Sequence, residues 1–194
     1  MSEQDVRAEM HRAAMNWLSR RDYARRELGR RLERRFGEEA PVDAILDWLE
    51  EQNFLNEARF AEAFVRSRID RGQGALRIRA ELEQRGLEAA RIEQALEQVM
   101  EETGCDWFEL AARVRQRRFP APPGGNPREK AREKARQLRF LQYRGFTPEQ
   151  AFRAMEAAHS GDAPEGLPDE EVPGEACGME GDNPDSAEQG EGRE

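Results

Sequence analysis

A chain of 194 residues, 37% charged and only 7% aromatic, can hold one domain or a few small ones, and any core must be lean and distributed. Its formal net charge of -9 is unevenly placed: residues 160–194 carry twelve Asp and Glu against Arg193 alone, which leaves residues 1–159 at about +2. No apolar run nears the roughly 18 residues of a membrane span, the N-terminus lacks a signal peptide's apolar stretch, and two cysteines, Cys105 and Cys177, make no disulfide framework, so a cytoplasmic protein is expected.

Apolar residues recur at three and four rather than two, so the fold class is all-α. Residues 1–12 read as a flexible N-terminus. Helices follow at about 13–19, 22–35 and 42–52 in a first unit, 13–55. A second unit, 56–104, has helices at about 57–70, 75–85 and 89–102, with Asn56 able to cap the first of them. A third unit, 105–159, has helices at about 106–118, 128–144 and 148–158, interrupted by the linker "PAPPGGNP" at 120–127. Gly86 and Gly145 stand where a helix stops in a left-handed residue. The following "FTPEQ" (146–150) offers Thr147 and Gln150 as a capping box, with Pro148 in the first turn. Residues 160–194 have the composition of an acidic, disordered tail.

"ELEQRGL" (81–87) is echoed by "FLQYRGF" (140–146) and, more loosely, by "ELGRRLERRF" (27–36), where Arg35 stands in the glycine position. The registers pair Val42 with Ile92 and Ala151, and Leu46 with Leu96 and Met155. This spacing predicts three tandem three-helix units of about fifty residues in an elongated, curved array, each leaning on its neighbours. Charge repeats too. Residues 12–35 sum to +6 and residues 36–62 to -7; residues 92–109 hold six acids and no base, and residues 113–144 hold eleven bases against Glu129 and Glu133. Such segregation implies faces of opposite potential.

No catalytic constellation emerges. His11 and His159 lack partners at metal-ligand spacing and read as solvated. "RGQGALR" (71–77) puts two glycines before a helix, but no strand precedes it and the Gly-x-Gly-x-x-Gly pattern is incomplete. A tight interhelical turn is the better reading. The basic stripes carry more. On the helix at 128–144, Ala131, Ala135, Leu138 and Leu141 form an apolar face, beside a row of Arg132, Arg136, Arg139 and Tyr143. Arg26, Arg30 and Arg34 form another row; Arg66 and Arg68, then Arg77, Arg79 and Arg85, serve the second unit. Such rows suit a polyanion's phosphates or a protein's carboxylates. The competing reading is a solvated face with ion pairs that stabilise little. Arg59 reads as a structural ion pair, and Trp17, Trp48, Trp107, Phe60 and Phe64 as packing.

"RRDYARRELGRRL" (20–32), "FLNEARFAEAFVRSRIDRGQGALRIRAELEQRGL" (54–87), "DWFELA" (106–111) and "RFLQYRGF" (139–146) resemble the RecX family across residues 13–158. The resemblance implies a curved all-helical protein without catalytic activity or cofactor. It further implies binding in the groove of the RecA filament on single-stranded DNA, with inhibition of ATP hydrolysis, strand exchange and co-protease function. The family's basic positions fall on Arg30, Arg31, Arg66, Arg68, Arg71, Arg77, Arg79, Arg139 and Arg144; the row reading adds Arg132 and Arg136. Expected partners are the RecA filament and single-stranded DNA, with no membrane, and the protein is expected to be a monomer. Two features depart from the family pattern: the Pro/Gly-rich linker, expected to loosen the third unit, and the acidic tail, whose charge suits occupation of the filament-binding face. Other readings are a stand-alone nucleic-acid-binding helical array and a structural adaptor for acidic partners.

Overall fold

The computed structural model describes residues 3–121 and 124–160. Among these the chain forms nine α-helices and no strand: α1 (Glu3–Leu18), α2 (Arg25–Phe36), α3 (Val42–Glu51), α4 (Glu57–Asp70), α5 (Ala75–Gln84), α6 (Ala89–Thr103), α7 (Trp107–Arg118), α8 (Pro127–Tyr143) and α9 (Pro148–Ser160). Their ends follow from side-chain chemistry. Asn56 accepts from the Arg59 N–H at 2.9 Å, and Asp106 accepts from the N–H groups of Phe108 and Glu109. Asn126 and Glu129 form a capping box around Pro127, and Thr147 and Gln150 exchange the same pair of bonds before α9.

The helices pack in successive threes, α1–α3, α4–α6 and α7–α9. Each register pair is buried: Val42 with Ile92 and Ala151, Leu46 with Leu96 and Met155. The first three helices close on Met10, Trp17, Leu28, Leu32, Ile45 and Leu49. One continuous apolar cluster serves the other six, running from Phe60 and Val65 through Ile78, Leu82 and Ile92 to Leu110, Leu141 and Phe146. Truncating a wholly buried member such as Leu82 to Ala costs about 2–5 kcal/mol at such sites. Arg115 donates to Gln137 at 3.1 Å and Phe119 meets Phe140 edge-on at 5.4 Å, so α7 and α8 are stitched together despite the proline-rich stretch between them.

Four expectations change. Residues 3–12, expected to be flexible, belong to α1: Met10 is wholly buried and, with Ala13, Ala14 and Trp17, forms an apolar face that the intervening charges obscure in the sequence. Helix α2 does not stop at Arg35 but runs through Phe36, and Gly37, with φ 93°, ends it. The apolar face of α8 is only half a face, because Ala131 and Ala135 are exposed while Leu138 is half-buried and Leu141 buried. Trp48 is at the surface, with the half-buried His11 edge-on to it at 4.5 Å. Within 160–194, all beyond Ser160 lies outside the described residues, Cys177 included.

Candidate functional site

Two stretches that stood out in the sequence, 71–77 and 140–146, meet. The Gly74 N–H donates to the Arg144 carbonyl at 2.8 Å and the Leu76 N–H to the Gly145 carbonyl at 3.0 Å. These bonds use N–H groups at the start of α5 that a phosphate loop would need free, so the segment is the tight interhelical turn. The approach is too close for side chains. A Cβ on Gly74 would strike the Gly145 carbonyl, and one on Gly145 (φ 91°) would strike Arg77. The junction between the second and third helix triples is therefore a rigid backbone seam.

Arginines crowd around it. Arg68 reaches Glu81 at 2.9 Å and Arg77 reaches the other oxygen of the same carboxylate at 3.0 Å. Arg85 donates to the Glu81 backbone carbonyl at 2.9 Å, and Arg144 to the carbonyl of Arg71 at 2.9 Å. Aromatic rings hold the guanidiniums in place: Arg68 and Arg85 lie over Phe64 at 4.4 and 4.7 Å, Arg144 over Phe140 and Arg77 over Tyr143, each at 5.3 Å. Burial pushes the Arg68 guanidinium below its ordinary value, Glu81 opposes this, and Arg71, Arg85 and Arg77 push the same way as burial. Arg77 is raised, chiefly by its hydrogen bond to Glu81. The Nε of Arg68 is buried without a hydrogen-bond partner. Arg68 and Arg77 thus share one carboxylate while Arg71 and Arg85 add positive charge at Arg68, an excess that an added anion relieves.

The remaining sequence-derived candidates divide. Arg71 and Arg139 are exposed, and Arg139 stands one turn before Tyr143 on α8, so the row of Arg132, Arg136 and Arg139 leads into the junction. Arg132 is exposed, whereas Arg136 pairs with Glu133 at 3.5 Å and covers Phe119 at 4.9 Å. Arg66 pairs with Glu102 and Glu62, and Arg79 holds Glu93 with two bonds of 2.5 and 2.8 Å. Both tie helices of the second triple together, as the ion-pair reading holds. Arg31 lies over Trp17 at 4.4 Å and serves the first core. Arg30 is exposed, away from the junction, on a crevice of about 640 Å³ that it shares with Arg26, Arg91, Glu33, Glu57 and Glu88. Arg59 holds Asp22 at 2.9 Å as a structural pair.

Three residues of consequence carried no signal of their own in the sequence. Glu81 is one carboxylate among several on an amphipathic helix. Leu76 is one leucine at the start of a helix and is 47% exposed. Arg115, part of a basic run, is buried against Gln137. Among the described residues no group of His, Cys, Asp and Glu is placed to hold a metal, and no helix is long and apolar enough to cross a membrane.

Comparison with known proteins gives a consistent result. A family model described as RecX, second three-helix domain, matches residues 56–96, and one described as RecX, third three-helix domain, matches residues 105–155. A regulatory protein RecX of Halorhodospira halophila is 44% identical over 163 residues, covering 84% of this chain and 96% of the relative. Another, from Pseudomonas savastanoi pv. phaseolicola, is 46% identical over 142 residues, covering 73% of this chain and 86% of the relative. The crystal structure of RecX from Lactobacillus salivarius superposes with a TM-score of 0.66 over 81% of this chain and 99% of that one; at 19% identity it speaks for the fold alone.

Proposed function

The chain belongs to the RecX family, and on that premise we propose that it regulates a RecA-type recombinase by binding the filament that recombinase forms on single-stranded DNA. The reading is of a cytoplasmic regulator that works by binding and not by catalysis. One observation carries it beyond the family name: the arginine cluster of the junction, fixed by a backbone seam, in which Arg68 and Arg77 share a single carboxylate. A nucleoprotein filament presents repeated anionic surface, both the phosphates of its strand and the carboxylates of its subunits. Arginines held in place by ring stacking and backbone bonds lose less entropy on meeting such a surface than free surface arginines do.

Because the cluster joins two helix triples that share one core, it is a stiff brace. A brace laid across successive recombinase subunits would resist the changes of shape that accompany ATP turnover and strand exchange. The test is single-strand-stimulated ATP hydrolysis by the cognate recombinase, titrated with this protein. Hydrolysis should fall in a saturable manner at sub-stoichiometric to stoichiometric ratios. An unchanged rate under conditions where the protein remains folded would refute the reading.

A further inference from the structure

At the edge of the arginine cluster stands an aromatic ring that carries Arg77 and is otherwise turned to solvent. Tyr143, the last residue of α8, is 76% exposed. Arg77 lies over its ring at 5.3 Å, which steadies the ring while most of it stays open to solvent. The seam brings a second apolar group to the same turn. The Leu76 N–H is bound to the Gly145 carbonyl, and the Leu76 side chain is exposed. Around this pair lie Arg77, Arg144 and Arg71, with Arg139 one helical turn back. An exposed, pre-oriented ring among arginines is a poor solution for solubility and a good one for a ligand with flat rings and anionic links.

We propose that Tyr143 and Leu76 form a stacking platform for an unpaired base of single-stranded nucleic acid, with Arg71, Arg77 and Arg144 taking the flanking phosphates. This rests on the reading that the junction faces a recombinase filament, and adds that the chain itself touches the strand. The chemistry discriminates. Every base has a π-face that an exposed tyrosine can cover, so the contact is tolerant of sequence. In a duplex those faces are already stacked on one another, so the platform has nothing to grip. A carboxylate-bearing protein surface would use the arginines and ignore the ring.

The experiment is fluorescence anisotropy of a labelled oligodeoxythymidylate and, separately, of a duplex of equal length, with wild-type protein, Tyr143→Ala and Tyr143→Phe. Tyr143 is exposed and at a helix end, so both variants retain the fold, and circular dichroism verifies this. Tyr143→Ala should weaken binding to the single strand by about tenfold and leave duplex binding unchanged, while Tyr143→Phe should match wild type. The salt dependence should stay the same in Tyr143→Ala, but become shallower in Arg144→Gln as one phosphate contact is lost. Undiminished single-strand binding in Tyr143→Ala, equal loss on the duplex, or no binding of the wild type to the free strand would each overturn the proposal. Loss of filament binding without loss of strand binding would overturn it too, reassigning the ring to the recombinase surface. Any of these results can stand beside inhibition of ATP hydrolysis, so the platform can fail while the filament reading holds. Strand binding lost in Tyr143→Ala, with no inhibition by the wild type, would instead support the platform and refute the filament reading.

Discussion

Glu81 sets the charge balance of the junction. With its side chain 20% exposed, it binds Arg68, 18% exposed, through one oxygen and Arg77 through the other. Replacing it with Gln removes the carboxylate that Arg68 and Arg77 share and leaves the partly buried Arg68 without that counter-charge. The fold should lose about 1–3 kcal/mol, read by urea unfolding, while affinity for a polyanion such as heparin rises and its salt dependence steepens. Unchanged polyanion affinity in Glu81→Gln would mean that the arginines do not act as a charge cluster. The arginines themselves were legible as basic rows. Their neutraliser was not, because a glutamate on a charged helix looks like any other until the helix is docked.

At the scale of the element, helix periods and caps were legible almost throughout, since apolar spacing and Asn, Thr, Gly and Pro at helix ends act locally. What the sequence misplaced depended on where neighbours begin and end. Helix α8 keeps its alanine spacing from Ala131 onward, but only its C-terminal half packs, so the exposed turns before Gln137 look apolar in a pattern and stand in water. Likewise α1 hides its face among charges until Met10 and Trp17 find α2 and α3. Ion pairs between helices account for part of the charge segregation, as at Arg79 and Glu93. Hydrogen bonds from Arg79 hold the Glu93 carboxyl below the ordinary carboxylate range. A carboxyl depressed in the folded state stabilises the fold above its unfolded pKa, about 4.3, and that contribution fades as pH falls through the folded value. Wild type should therefore unfold at a higher urea midpoint than Glu93→Gln near about pH 6, with the gap closing toward about pH 3. A gap independent of pH would show that the pair is not what distinguishes the two proteins.

Over the whole molecule, the second and third helix triples act as one body around one core, and the first keeps its own. The first meets the second through polar contacts, Arg59 with Asp22 at 2.9 Å and the Arg25 N–H with Glu57 at 3.1 Å, and through apolar ones, the methylenes of Arg26 against Gly86 and Ala24 buried in the second triple's cluster. The sequence pointed to three equivalent units and to basic positions spread over all of them. The fold gathers Arg68, Arg71, Arg77, Arg85 and Arg144 at one seam and gives Arg31, Arg66 and Arg79 to internal contacts elsewhere, because a repeat shared in sequence need not be shared in surface. If that seam is the filament-binding surface, its charge is the quantity to change. Co-sedimentation of the protein with preassembled recombinase filament on single-stranded DNA, comparing wild type with Arg71→Glu and the double variant Arg71→Glu/Arg144→Glu, tests this directly. The double reversal should weaken filament binding by roughly tenfold or more, with Arg71→Glu intermediate and helicity unchanged; binding equal to wild type would contradict the assignment of the junction as the contact.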